Sequence, residues 1–150
     1  MAASSSAVPT PGTPTYRTVS VASGPHGVLH ATNVRGGRLV VGTGEGEGFS
    51  PSELLLVALG SCTAADVDAL TTRRSEPLGF EVQVEADKVR DDDGNRLTNL
   101  TVTFRVEFPN GPEGDAAREV LPAAVQRSHD RLCTVGRTVE VGTPVATRIE

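Results

Sequence analysis

The organisation of this chain follows from one stretch, Ser50-Pro-Ser-Glu-Leu-Leu-Leu-Val-Ala-Leu-Gly-Ser-Cys62. Ser50 is a favourable N-cap, and Pro51 suits the first helical position because its missing N–H is not needed there. Glu53 lies three residues after Ser50 and completes a capping box. The nearly continuous apolar run that follows is typical of a buried helix. The sequence therefore predicts a buried central helix with a thiol in its middle.

The segments around this helix predict a mixed α+β protein. An Ala/Ser/Pro/Thr-rich start predicts a disordered tail over residues 1–14, with a single domain over residues 15–150. Three strands are expected before the helix, and two alternating segments after it predict a hairpin. A second helix from Asp115, with Pro122 causing a kink or a late start, and a last strand over residues 139–149 complete the order. Segregated strands and helices indicate an α+β fold.

Composition excludes several classes of protein. The chain has 150 residues and a net charge of −5, and only 3% of its residues are aromatic. An acidic, aromatic-poor chain does not suit nucleic acid, which requires basic and stacking surfaces. The longest apolar run, Leu54 to Leu59, is short beside the roughly 20 residues of a membrane span. The N-terminus lacks the pattern of a signal peptide. We therefore expect a cytoplasmic protein with no nucleic-acid or membrane partner.

The two cysteines, Cys62 and Cys133, are the main candidates for chemistry. They are either two small buried hydrophobic residues or a redox pair in which one sulfur is oxidised and the other closes a disulfide. A reactive Cys62 needs a cation, because burial raises a thiol pKa and the helix N-terminus is too distant to lower it. Arg35, at a Gly-flanked turn, is the best candidate, and Arg38 and Arg17 are the others.

Glu53 is the candidate partner for that arginine, since a cation in an apolar site needs a carboxylate to orient it. The capping box alone is an alternative explanation for this residue. Nine residues separate Glu53 from Cys62, which places them about 13 Å apart along the helix and on roughly opposite faces. One copy of the helix can hardly bring both to one site. We therefore predict a homodimer with its sites at the interface.

His129 and Cys133 are four residues apart and share a helix face. They are possible zinc ligands, with Cys62 and one of His26 or His30 completing the site. The sequence has no Cys-x-x-Cys pair to support this, and a hydrogen-bonded histidine near a helix end explains His129 better. A Cys/His hydrolase is a further alternative, but no feature supplies its oxyanion hole or third member.

Three stretches of the sequence resemble one known family. They are the Pro-x-Glu-Leu segment that leads to Cys62, His129-Asp-Arg-Leu-Cys133, and the shorter Ala31-Thr-Asn-Val-Arg35-Gly-Gly. Together they resemble the OsmC/Ohr proteins, which are osmotically induced protein C and organic hydroperoxide resistance protein. The resemblance extends from Tyr16 to Ile149.

The resemblance implies a fold and a site. The family fold is an intertwined α+β homodimer in which antiparallel sheets pack on two central helices. Carried over to this chain, Cys62 attacks the peroxide and Cys133 resolves it by forming a disulfide. Arg35 stabilises the Cys62 thiolate and polarises the peroxide, while Glu53 holds Arg35. The implied substrates are organic hydroperoxides, and no metal, haem or other cofactor takes part.

The resemblance also implies partners and an alternative. The disulfide is returned to two thiols by a dithiol reductant, either a lipoyl protein or a thioredoxin-like protein. Thr134 follows Cys133 here, where the family often has proline. Because the family includes members not shown to be peroxidases, the alternative is a non-catalytic ligand-binding or redox-sensing protein.

Overall fold

The structure of the protein, a computed structural model, describes residues 9–150. The predicted tail over residues 1–14 therefore lies largely outside the described residues. Its last part, residues 9–14, is exposed and contains turns. Two compact units are distinguished. The first ends at Pro51 and includes Thr143–Glu150, and the second is Ser52–Gly142. The predicted single domain over residues 15–150 stays a prediction.

The first unit contains a three-stranded antiparallel sheet. Its strands are β1 (Val19–Ser23), β2 (Leu29–Asn33) and β3 (Arg38–Val41), in that spatial order. A tight turn joins β2 to β3 as the sequence predicts. The Asn33 side-chain oxygen accepts hydrogen bonds from the backbone N–H groups of Arg35 (2.9 Å) and Gly37 (3.0 Å). Gly36 has a φ of 85°, which glycine adopts at little cost.

The second unit contains a long helix, a hairpin and a C-terminal helical region. Helix α1 spans Pro51–Thr71, and the hairpin consists of β4 (Gly79–Asp91) and β5 (Gly94–Glu107). Helix α2 (Pro112–Arg127), a π-helical turn (Ser128–Leu132) and helix α3 (Thr134–Val141) follow. The mixed α+β architecture with antiparallel sheets is thus confirmed. Helix α2 begins earlier than predicted and runs through Pro122, so the predicted late start is wrong.

One face of α1 is buried. Leu59, Thr63, Val67 and Thr71 recur every fourth residue on that face. Beside them, a Cβ on Gly60 would lie 2.8 Å from Val84 Cγ2, so only glycine lets the helix approach β4 this closely. Apolar residues on other faces stay exposed, and Val57 is 46% exposed. The predicted burial of α1 on all sides therefore does not hold within a single chain.

Helix α1 is also long and apolar enough, by length and composition, to cross a membrane. The length of the apolar run from Leu54 to Leu59 therefore does not by itself exclude a membrane span. The core helix of a soluble protein meets the same criterion.

The predicted last strand over residues 139–149 is wrong over its whole length. Val139 and Val141 belong to helix α3, and residues 143–150 form no strand. The helix starts at an N-cap, Cys133, and ends at Gly142 in the left-handed conformation with φ 63°. Pro144 follows that cap, as it often does after helix ends. These stop signals belong to a helix, whereas the β-branched residues alone suggested a strand.

Candidate functional site

Cys62 lies in the middle of α1 and is half-buried. Regular helix surrounds it, and its neighbours Ser61, Thr63 and Ala64 are small. The Thr63 hydroxyl donates to the Leu59 carbonyl oxygen at 3.2 Å, so its polar group is satisfied within the helix.

Cys133 occupies a different setting, at the break between the π-helical turn and α3. Its side chain is 0% exposed. Its sulfur caps α3 by accepting a hydrogen bond from the Gly136 N–H at 3.2 Å. Its own N–H donates to the Ser128 carbonyl oxygen at 2.9 Å. The thiol is therefore fixed by backbone bonds on both sides.

The structure brings the two thiols together. The Cys62 thiol lies close enough to Cys133 to contribute to the pKa of Cys133, and both cysteines are free. Burial raises the pKa of Cys133 to about 11, against the opposing effect of the Gly136 N–H. The Cys62 thiol and the Asp66 carboxylate contribute to the same increase. Cys133 therefore keeps its proton at neutral pH, near the Cys62 thiol.

A second polar contact joins the same two segments. The Ser128 hydroxyl donates to Asp66 Oδ2 at 2.9 Å, and Ser128 is 1% exposed. Asp66 lies one helical turn after Cys62, and Ser128 begins the turn that ends before Cys133. Sequence reasoning missed both residues. The sequence did contain one signal for Asp66, because it is a carboxylate within an apolar helix, four residues after Cys62.

A cavity of about 340 Å³ lies on the Cys133 side of the pair, entirely within the second unit. Its lining is mainly apolar and comes from α1, β5, α2 and α3. The apolar lining residues are Leu59, Leu100, Val102, Phe104, Val125 and Val139. Polar groups enter it from Gln126, His129 and Glu140. The cavity suits an apolar molecule with a polar end.

His129 belongs to a network of charged side chains at this cavity. Its Nδ1 lies 2.9 Å from Asp130 Oδ1, and its Nε2 lies 3.6 Å from Glu140 Oε1. The hydrogen bond to Asp130 is the main reason that the pKa of His129 is raised, and Glu140 adds to the effect. Within residues 9–150, no group of three or more His, Cys, Asp or Glu side chains is placed to hold a metal ion. The zinc alternative thus has no support from the described residues.

The predicted arginine and glutamate occupy separate elements. Arg35 lies exposed in the turn between β2 and β3, and Arg38 is the first residue of β3. The Arg17 guanidinium donates to the Pro14 carbonyl oxygen at 2.7 Å. Glu53 lies in the first turn of α1. These arginines belong to the first unit and Cys62 to the second, so their roles toward Cys62 stay predictions.

Comparison with known proteins identifies relatives of the chain. The family model described as OsmC-like protein matches residues 44–148. An uncharacterized protein of Mycobacterium tuberculosis strain H37Rv is 32% identical over 116 residues, which are 75% of this chain and 81% of that protein.

Solved structures share the fold at lower identity. An OsmC-like protein from Mycoplasma pneumoniae has a TM-score of 0.68 and 13% identity, covering 85% of this chain and 89% of that one. The organic hydroperoxide resistance protein OhrB of Bacillus subtilis has a TM-score of 0.52 and 15% identity, covering 82% and 90%. Likeness at such identities concerns the fold alone.

Proposed function

This chain belongs to the OsmC-like family, and from that premise we propose that it is a thiol-dependent peroxidase that reduces organic hydroperoxides to alcohols. The observation that carries the proposal is the proximity of Cys62 and Cys133, since the Cys62 thiol lies close enough to raise the pKa of Cys133. The two cysteines are distant in sequence, and both are free, as a cysteine pair must be before it can form a disulfide in one step.

The first step takes place at Cys62. Its thiolate attacks one peroxide oxygen, the O–O bond breaks, and the alcohol leaves with a proton. Sulfur is oxidised to a sulfenic acid as the peroxide is reduced. Cys62 suits this role because it is only half-buried, whereas Cys133 is fully buried and keeps its proton.

The second step closes the disulfide. The Cys133 sulfur bonds to the Cys62 sulfur, the S–O bond breaks, and water leaves. A dithiol reductant, either a lipoyl protein or a thioredoxin-like protein, then restores both thiols by exchange through a mixed disulfide. We place the protein in the cytoplasm, where thiol systems keep cysteines reduced.

The site is completed in a homodimer. Apolar residues of α1 such as Leu55 and Val57 stay exposed in the single chain, which favours a partner that covers them. Arg35 serves the Cys62 thiolate and the peroxide, and Glu53 orients Arg35. A monomer mass by light scattering at working concentration would contradict this part of the proposal.

The substrate class follows from apolar surroundings. The cavity beside Cys133 is lined mainly by aliphatic and aromatic carbon, which favours an organic group over a small polar peroxide. No metal or other cofactor enters any step.

A turnover assay tests the proposal. The protein is mixed with excess dihydrolipoamide and either cumene hydroperoxide or hydrogen peroxide, and peroxide loss is followed. We expect many equivalents of peroxide to be consumed per protein, faster with the organic one. Consumption that stops after one equivalent would instead indicate the alternative, a non-catalytic redox sensor. No consumption at all would favour a ligand-binding protein.

A further inference from the structure

The two cysteine-bearing segments are joined a second time by a bond that the proposed chemistry does not use. Ser128 Oγ donates to Asp66 Oδ2 at 2.9 Å. Asp66 is four residues after Cys62, so the two share a face of α1. Ser128 begins the π-helical turn, and Cys133 follows the end of that turn. The bond therefore runs beside the contact between the thiols.

This link is sheltered and rigid. Ser128 is almost fully buried, and Asp66 is half-buried. A hydrogen bond to a carboxylate away from water is stronger than one between neutral groups. The carbonyl of Ser128 also accepts the Cys133 N–H at 2.9 Å. A short chain of bonds thus connects the Asp66 carboxylate to the backbone of Cys133.

We propose that Asp66 and Ser128 are positioning residues that hold Cys133 against Cys62 and so set the rate of disulfide closure. The inference rests on the proposed function, since closure is its second step. That step condenses the Cys62 sulfenic acid with the Cys133 thiol, forming one S–S bond and releasing one water. A sulfenic acid whose partner thiol is already in place is captured before a second peroxide can oxidise it further.

Asp66 also acts through its charge. Around Cys133, α1 presents Asp66 and Cys62, the π-helical turn presents His129, and α3 presents Glu140. The residues that β5 contributes to the cavity are apolar. Of the carboxylates, Asp66 is the one whose charge raises the pKa of Cys133. Cys133 thus stays protonated until it reacts, which leaves the peroxide to Cys62.

Two variants separate position from charge. Ser128→Ala removes the donor of the bond. Asp66→Asn removes the charge but keeps a side-chain oxygen that accepts from Ser128. Asp68→Asn is the matched control, because Asp68 lies on the same helix but is exposed and accepts from the Thr72 hydroxyl. Each reduced protein receives one equivalent of cumene hydroperoxide, and dimedone traps the sulfenic acid at successive times. A parallel series uses the thiol oxidant diamide.

We expect Ser128→Ala to slow closure about tenfold while the rate of sulfenic acid formation is unchanged. Asp66→Asn should not slow disulfide closure at neutral pH. The pH midpoint of closure, at which the closure rate is half its maximum, should move downward because the pKa of Cys133 falls. A merely structural role would not move that midpoint. Asp68→Asn should match the wild type in both rate and midpoint.

Closure of Ser128→Ala at the wild-type rate, or an unchanged pH midpoint in Asp66→Asn, would overturn the inference. If Ser128→Ala does not fold, the pH dependence of the closure rate in Asp66→Asn tests the inference instead. If wild type does not react with peroxide, the diamide series still measures closure. In that case the proposed function fails while the positioning role is judged separately.

Discussion

Cys62 and Cys133 are chemically identical, but their two segments hold them differently. Cys62 lies within a continuous helix and is half-buried among small residues. Cys133 lies where a π-helical turn gives way to α3, fully buried and bound through its sulfur to a backbone N–H. Helix α1 thus leaves the Cys62 side chain partly accessible, whereas the junction before α3 buries the Cys133 side chain.

The difference shows how a fold assigns two roles to one residue type. A buried thiol with a raised pKa is a poor nucleophile, because little of it is thiolate near neutral pH. In the proposed mechanism the raised pKa of Cys133 therefore slows its own reaction with peroxide, although Cys133 borders the apolar cavity. The regular helix around Cys62 supplies a fixed backbone for a half-buried sulfur. The proposed order of reaction follows from this asymmetry.

Replacing each cysteine in turn by serine tests this difference between the two sulfurs, and we expect it to have the largest effect on peroxide consumption. Cys62→Ser should abolish peroxide consumption, because the nucleophile is lost. Cys133→Ser should still react with one equivalent and accumulate a sulfenic acid at Cys62, detected as a dimedone adduct by mass spectrometry. If Cys62→Ser consumed peroxide and Cys133→Ser did not, the two roles would be reversed.

Alkaline pH should reveal the enclosure of Cys133 as a loss of stability. Its pKa is about 11 in the folded protein against an ordinary 9.0, so the folded state holds the proton more tightly. The associated stability is complete below about pH 9 and is lost as pH rises toward 11. The expected size is about 2–3 kcal/mol in the free energy of unfolding.

Urea denaturation of the reduced wild type and Cys133→Ala measures this effect across the pH window. As pH rises, the free energy of unfolding of the wild type should fall relative to that of Cys133→Ala. Titration of other groups is common to both proteins and cancels. A constant difference between about pH 8 and 11 would contradict the enclosed state of Cys133.

A pair of glycine substitutions compares the packing of the two segments. In Gly60→Ala the new Cβ would lie 2.8 Å from Val84 Cγ2, and we expect a loss of about 1–3 kcal/mol. In Gly136→Ala it would lie 3.2 Å from Cys133 Sγ, a contact that a small shift relieves. Higher helix propensity offsets about 1 kcal/mol at each site. Denaturation midpoints should therefore fall more for Gly60→Ala. The reverse order would mean that the second segment is the more tightly packed.

The smallest effect is expected at His129. Hydrogen bonding to Asp130 raises its pKa, so any stabilisation is complete below its ordinary pKa of 6.5 and is lost as pH rises through the raised value. The side chain is 60% exposed, and solvent screening keeps such pairs below about 1 kcal/mol. His129→Gln should therefore change unfolding only slightly at pH 5 and not at pH 8. A large loss at both values would assign His129 a packing role.

Local signals in the sequence were enough for the main elements. The Ser50-Pro51 start predicted α1 to its first residue, and alternating apolar residues predicted the β4–β5 hairpin. The last segment was wrong because its valines suggested a strand, while the helix depends on a cap from Cys133. That cap exists only once the turn before it has folded.

The site was predictable in part. Both cysteines stood out by type, but their contact depends on how α1 and the π-helical turn pack together. The Asp66–Ser128 bond joins residues far apart in the chain, so no local pattern reveals it. The roles of Arg35 and Glu53, and the homodimer in which they would act, stay predictions.

The central claim is that Cys62 and Cys133 form one redox pair, and intact mass tests it most directly. Reduced protein is given one equivalent of cumene hydroperoxide and weighed by mass spectrometry. We predict a loss of about 2 Da, the mass of the two hydrogens removed as the disulfide forms, and no loss in either serine variant. An unchanged mass, or a stable gain of one oxygen in the wild type, would contradict the claim.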